Sequence, residues 1–156
     1  MCKTGGMKDS YSHSHEPRSI GGETIMLVED EAFVRGVTVA VLESAGYSVV
    51  AAKNATEAQQ MYEQHSGGMD LLLADIVLPG EDGRHLAERL STINSSMQVL
   101  LVTGYAEEME REKSDQQNQS LLQKPFAAAT LLQTVRMLLD RKSQQPILQQ
   151  SLSQQP

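Results

Sequence analysis

The sequence predicts an α/β fold in which helices cover both faces of a five-stranded parallel sheet. Short apolar segments alternate with segments of helical periodicity, and this alternation runs five times along the chain. The apolar segments are continuous rather than alternately polar, which is typical of strands buried on both faces of a parallel sheet. In such doubly wound folds, ligands bind beyond the carboxyl ends of the strands, where the strand order reverses.

Five short apolar runs predict the strands, and they lie at residues 23–28, 47–52, 70–74, 98–102 and 120–123. The fifth run is the weakest, because a polar stretch leads into it. Residues 107–119 are predicted to form a short solvated helix and a loop. Pro79, Gly80 and Gly83 mark a second loop, after the third strand.

The helices are predicted from apolar residues that recur at spacings of three and four. Their apolar positions are Phe33, Val34, Val37, Val41 and Leu42; Ala55, Ala58, Met61 and Tyr62; Leu86, Leu90 and Ile93; and Leu131, Leu132, Val135, Leu138 and Leu139. Gly46 is expected to close the first helix, and Asn54 to cap the second. The last helix is expected to end near Arg141.

A chain of 156 residues is expected to form one domain, here residues 23–141. Residues 1–22 are polar, rich in Gly, Ser and His, and without periodicity, so they are predicted to be a disordered leader or linker. Residues 142–156 are predicted to be a Gln-rich flexible tail.

Composition excludes several classes of function. The formal net charge of −7 and the absence of a basic stripe argue against nucleic-acid binding. The single cysteine, Cys2, excludes a disulfide framework and a cysteine-cluster zinc site. No apolar run approaches the roughly 18–20 residues needed to span a bilayer, and no signal peptide is evident. The prediction is a soluble cytoplasmic protein.

Polar residues follow four of the predicted strands. Glu29 and Asp30 end the first, Asp75 the third, Thr103 the fourth and Lys124 the fifth. Because the carboxyl ends of parallel strands share one edge of the sheet, these side chains are expected to form one cluster. The cluster would contain three carboxylates, one hydroxyl and one ammonium group.

This combination of groups suits phosphoryl transfer. Three neighbouring carboxylates repel one another unless a cation lies among them, and Mg²⁺ takes one or two carboxylates together with waters and phosphate oxygens. Asp75 is then the candidate nucleophile. Lys124 and Thr103 are candidates to hold the oxygens of the incoming phosphoryl group.

Four motifs occur along the chain in this order: LVEDE, DLLLADIVLPGEDG, VLLVTGYAE and LLQKPF. Together they resemble the receiver domain of bacterial two-component response regulators, over roughly residues 23–141. The resemblance implies the flavodoxin-like (βα)5 arrangement. It also implies that Asp75 accepts a phosphoryl group from a histidine kinase.

The resemblance carries further roles over to matching positions. The implied Mg²⁺ ligands are Glu29, Asp30, Asp75 and the backbone carbonyl of Val77, with Asp30 the more direct ligand of the acidic pair. Thr103 matches the switch hydroxyl. Lys124 matches the lysine that precedes an often cis proline. The family's switch aromatic stands three residues before that lysine, and here the position holds Leu121, which has no ring.

The function expected from this resemblance is a phosphorylation-controlled signalling module. Its partners would be a sensor histidine kinase or a histidine phosphotransfer protein, and an unknown downstream protein. Its chemistry would be confined to phosphorylation and dephosphorylation of its own Asp75, so it would not be an enzyme in the usual sense.

Three alternatives stay open at this point. One is the receiver segment of a hybrid sensor histidine kinase. The second is an Mg²⁺-dependent phosphohydrolase, although such enzymes generally need an acid where Val77 stands. The third is a receiver-like scaffold that never takes phosphate.

Overall fold

The computed structural model describes residues 22–65, 68–105 and 119–144. Its elements are β1 (Thr24–Val28), α1 (Ala32–Ser44), β2 (Ser48–Ala52), α2 (Ala55–Gln64), β3 (Leu71–Asp75), β4 (Val77–Leu78), β5 (Glu81–Asp82), α3 (Gly83–Ile93), β6 (Gln98–Thr103), β7 (Gln119–Gln123) and α4 (Ala128–Gln144). The predicted leader up to residue 21, most of the predicted 107–119 segment and the tail from residue 145 lie outside the described residues.

Five strands form one parallel sheet, which confirms the predicted fold class. Their order is β2-β1-β3-β6-β7, and every neighbouring pair is parallel. From β1 the chain moves outward to β2 and then returns to form β3 on the other side of β1. The strand order therefore reverses between β1 and β3, so the crevice beyond their carboxyl ends is the expected ligand site.

The core lies on both faces of the sheet, as continuous apolar strands require. Neighbouring strand residues point to opposite faces. Met26 packs with residues of α2 and α3, whereas Ile25 packs with residues of α1 and α4. All residues of β6 are buried. Burial on both faces explains why these strands read as unbroken apolar runs.

A short antiparallel hairpin stands where the sequence predicted only a loop. Val77 and Leu78 pair with Asp82 and Glu81. Gly80, at the turn, has a φ of +79°, which is in the left-handed region that favours glycine. Strands of two residues carry too little periodicity to be recognised in a sequence.

The buried face of α1 differs from the apolar face that the sequence predicted. Leu42 is fully buried, but Phe33 is 81% exposed and Val37 is 49% exposed. At 3.6 residues per turn, Phe33 lies about half a turn around the helix from Leu42. The apolar residues of this helix therefore cover both sides of it, and only the side that contains Leu42 packs on the sheet.

Two of the predicted helix-end signals, at Asn54 and Gly46, agree with the structure. Asn54 caps α2 by accepting the Glu57 N–H at 2.8 Å, as predicted. Gly46, after α1, has a φ of +94°, which fits its predicted role in closing the helix. The helix α4 continues three residues beyond the predicted end at Arg141. Its last turn is held to the sheet, because Lys142 Nζ lies 2.6 Å from Asp70 Oδ1.

No described helix is long and apolar enough to cross a membrane.

Candidate functional site

The carboxyl ends of β1, β3 and β7 bring three of the predicted residues together. Lys124 Nζ lies 2.7 Å from Asp75 Oδ2 and 3.2 Å from Glu29 Oε2. The three residues are far apart in sequence, and they meet because β3 is the neighbour of β1 and is separated from β7 only by β6. The ammonium group thus bridges two carboxylates at the point where the strand order reverses.

Asp75 is the central group of this cluster. Its side chain is 13% exposed, so it is reachable at the surface while its surroundings are largely protein. Oδ2 accepts from Lys124, and Oδ1 accepts the Val77 N–H at 2.9 Å. Both oxygens therefore have a hydrogen-bond donor, which fixes the orientation of the carboxylate that would act as the nucleophile.

Glu29 is only 5% exposed. One carboxylate oxygen accepts the Glu31 N–H at 3.0 Å, and the other accepts from Lys124. Its own N–H donates to the Ala52 carbonyl at 3.1 Å, which continues the pairing of β1 with β2 past the end of the strand. With both oxygens engaged, Glu29 acts in this arrangement as a partner of Lys124.

The pKa of Lys124 reflects a balance of opposing effects. Burial by itself lowers the pKa, but the hydrogen bond and charge of Asp75, and then those of Glu29, outweigh it and raise the pKa above its ordinary value of 10.5. Because the folded-state pKa is raised, this stabilisation is fully present below pH 10.5 and is lost as the pH rises through the raised pKa. Lys124 is therefore a fixed positive charge near neutral pH.

The remaining predicted residues lie at the same edge of the sheet, and among them the Val77 N–H binds Asp75. Asp30 is the second residue after β1 and is exposed. Val77 is 58% exposed. Thr103, at the end of β6, is fully buried, and its Oγ1 accepts the Tyr105 N–H at 3.0 Å.

Glu31 occupies the N-cap position of α1, but its side chain makes no capping hydrogen bond. Instead, its N–H is bound by the carboxylate of Glu29. The peptide bond between Lys124 and Pro125 is cis, as the resemblance implied. Leu121, at the position of the family's switch aromatic, packs against the core on the side of α2 and α3.

The donor set fits a hard divalent cation. Among the described residues, no three His, Cys, Asp or Glu side chains converge closely enough to form a metal site by themselves. Mg²⁺ does not need three, because it is usually bound by one or two carboxylates and keeps several waters. Asp30, Asp75 and the Val77 carbonyl, which follow β1 and β3, would supply oxygen ligands of the required kind.

Two residues that sequence reasoning missed also shape the site. Gly83 begins α3 and donates its N–H to the Ile76 carbonyl at 2.8 Å, directly behind Asp75. A Cβ on Gly83 would overlap the carbonyl oxygen of Asp75. Arg35, in α1, binds the backbone of the acidic pair. In the sequence, Gly83 indicates only a loop, and an arginine within a helix gives no local sign that it will contact the backbone.

Comparison with known proteins identifies the family. The family model for the response regulator receiver domain matches residues 25–136 of this chain. The chain therefore belongs to the response regulator receiver domain family. Members are signalling modules of two-component systems and are generally non-catalytic.

Individual relatives agree with this assignment. The receiver protein CpdR of Brucella abortus is 33% identical over 116 residues, which are 74% of this chain and 95% of CpdR. The sensor kinase CckA of the same organism is 34% identical over 123 residues, which are 78% of this chain but 13% of CckA. The chain thus spans only a small part of that kinase.

Solved structures show the same similarity. The crystal structure of the receiver domain from the hybrid histidine kinase CckA has a TM-score of 0.65 and 31% identity, and the match covers 74% of this chain and 98% of that one. TrrA from Thermotoga maritima, crystallised in complex with Mg²⁺–BeF, has a TM-score of 0.65 and 26% identity, with coverage of 75% and 99%.

Proposed function

We propose that this receiver domain accepts a phosphoryl group on Asp75 from a phosphohistidine of a sensor kinase or histidine phosphotransfer protein. One observation carries the proposal: a reachable carboxylate is held between an ammonium group and a backbone N–H at the reversal of strand order. A carboxylate oxygen of Asp75 attacks phosphorus. The N–P bond of the donor breaks, and its electron pair returns to the imidazole ring.

Several groups of this chain would assist the transfer. Lys124 supplies a positive charge beside the oxygens of the incoming phosphoryl group. Thr103 lies at the end of the neighbouring strand, where its hydroxyl accepts the Tyr105 N–H and could serve as a donor to phosphate after it rotates. Its rotation toward a phosphoryl oxygen would weaken its contact with the Tyr105 N–H. This exchange of partners would couple phosphorylation to the backbone at Tyr105.

Asp30, Asp75 and the Val77 carbonyl are the residues that would hold Mg²⁺. When bound, the ion neutralises charge on the phosphoryl oxygens. The crystal structure of TrrA with Mg²⁺–BeF supports this part of the proposal, because a similar domain takes both species together. Glu29, with both oxygens engaged, is the weaker candidate ligand.

The proposal is tested by exposing the protein to a small phosphodonor with and without Mg²⁺. We expect intact-mass spectrometry to show the gain of one phosphoryl group with Mg²⁺ and a rate at least about tenfold lower with a chelator, because the charge of the transferred group is then poorly neutralised. Absence of any mass gain at saturating donor and Mg²⁺ would contradict the proposal and favour a receiver-like scaffold that takes no phosphate.

The two exposed acids after β1 offer a matched test of the metal ligand. Asp30→Ala is expected to weaken Mg²⁺ binding by about tenfold or more, because it removes a charged oxygen ligand. Glu31→Ala removes the same charge one residue further on and is expected to change the affinity by less than about 3-fold. Calorimetric titration measures both, and equal affinities would show that the two acids have been assigned wrongly.

The similarity to CckA supports a second version, in which the domain serves a hybrid sensor kinase. The chemistry at Asp75 would be the same, but the phosphoryl group would then pass to a histidine phosphotransfer protein. Phosphotransfer from the phosphorylated domain to the host's phosphotransfer proteins distinguishes this version from one in which the signal passes through a protein–protein contact.

A further inference from the structure

Arg35 makes an unusual contact with the acidic pair. It lies in α1, and its Nη1 donates to the carbonyl of Glu29 at 2.8 Å and approaches the carbonyl of Asp30 at 3.4 Å. Among the described residues its guanidinium group forms no ion pair with a carboxylate, although Glu29, Asp30 and Glu31 are all close in sequence. An arginine that binds backbone carbonyls instead of neighbouring acids constrains the path of the chain.

The contact completes the anchoring of Glu29. The residue's N–H is bound by Ala52, and its two carboxylate oxygens are bound by the Glu31 N–H and by Lys124. The carbonyl is the one remaining polar group, and Arg35 binds it. The turn between β1 and α1 is thereby fixed at every hydrogen-bonding atom of its first residue. Asp30 is the next residue in this turn, and its own carbonyl lies 3.4 Å from Arg35 Nη1.

The positive charge of Arg35 allows a positioning role to be distinguished from a purely electrostatic one. A positive group close to a cation site weakens cation binding by repulsion, so removing it should strengthen Mg²⁺ binding if charge were its only effect. A positioning role predicts the opposite result. The two effects therefore differ in sign, which makes them separable by a single measurement.

We propose that Arg35 is a positioning residue that holds the Glu29–Asp30 turn so that Asp30 is presented to Mg²⁺ while Glu29 faces Lys124. The inference rests on the proposed function, because it takes Asp30 as a ligand of the ion. Arg35 would act only through its backbone contacts with this turn.

The test compares Mg²⁺ affinity by calorimetry in four proteins: the wild type, Arg35→Gln, Arg35→Lys and Arg141→Gln. We expect Arg35→Gln to bind Mg²⁺ about tenfold more weakly, as for the loss of one charge-assisted hydrogen bond. Arg35→Lys keeps the charge, but the path from its Cα to the ammonium group is one atom shorter than the path to Arg35 Nη1. The ammonium group should therefore reach the Glu29 carbonyl poorly, and this variant should also bind more weakly. Arg141→Gln removes the same charge from an exposed site on α4 and should change the affinity by less than about 2-fold.

Thermal unfolding without Mg²⁺ accompanies each titration. A purely structural role would lower the melting temperature of the Arg35 variants and leave the Mg²⁺ affinity of the folded protein unchanged, and that result would overturn the proposal. Tighter binding by Arg35→Gln would overturn it too, since charge would then dominate. If Arg35→Gln does not fold, Arg35→Lys decides alone, and wild-type affinity in that variant refutes positioning. A wild-type protein that binds no Mg²⁺ would refute the proposed metal site and this inference with it. If the wild-type protein binds Mg²⁺, the affinities of the Arg35 variants test the role of Arg35 alone.

Discussion

Replacing Asp75 with asparagine is expected to abolish phosphorylation altogether. Asparagine keeps the shape of the side chain and can still accept the Val77 N–H, but its amide oxygen is not an effective nucleophile. Under conditions in which the wild type gains a phosphoryl group completely, intact-mass spectrometry of Asp75→Asn should show none. The fold should persist, because the change removes a charge from a partly buried site and leaves Lys124 paired with Glu29.

A control separates the loss of the acceptor from a general loss of charge. Asp140→Asn makes the same substitution on the exposed side of α4, where the carboxylate pairs with Arg136. It should be phosphorylated at the wild-type rate. Equal phosphorylation of Asp75→Asn and the wild type would show that another residue is the acceptor, and the proposed function would then have to be assigned to a different site.

Gly83→Ala is expected to cause the largest loss of stability. An added Cβ would overlap the carbonyl oxygen of Asp75 and lie 3.0 Å from the Asp75 carbonyl carbon and 3.1 Å from Ile76 Cα. These are backbone atoms at the end of a buried strand, so they cannot move aside as a flexible side chain would. We expect the free energy of unfolding to fall by about 3 kcal/mol, as for severe overpacking. Urea unfolding measures this loss.

Displacement of the Asp75 backbone should also slow phosphorylation of the variant that remains folded. The control is Gly36→Ala, in α1, where a Cβ would meet nothing within 4 Å. Alanine favours helix over glycine, so this variant should be more stable than the wild type by about 0.5–1 kcal/mol. A Gly83→Ala protein as stable as Gly36→Ala would mean that the strand and α3 are further apart than the structure shows.

The sequence was sufficient to predict the strands and the edge at which the site forms. Buried parallel strands appear as unbroken apolar runs, and the polar residue that ends each run marks the carboxyl end of a strand. The sequence pattern therefore predicts that Asp75 and Lys124 lie at the same edge of the sheet. The motifs around them led to the correct family, since each motif occupies the end of a strand. The roles of these residues in phosphoryl transfer and Mg²⁺ binding remain proposals.

Only the tertiary structure decided which groups bind one another at that edge. The bond between Lys124 and Asp75 joins residues 49 positions apart, and that between Lys124 and Glu29 joins residues 95 apart. Periodicity is a local property of the chain, so it locates strand ends and helix faces but not the side chains that meet across them.

The same limit explains the missed features of α1 and Gly83. The helical spacing places Phe33 and Val37 among the apolar positions of α1, yet both are exposed, because apolar residues lie on two sides of that helix. The contacts of Arg35 and Gly83 are with backbone atoms, which every residue carries, so no residue type in the sequence could signal them. Local pattern determined the elements and the chemistry available at their ends. The packing of distant segments determined which of those groups act together, because strand order and backbone approach arise only when the whole chain folds.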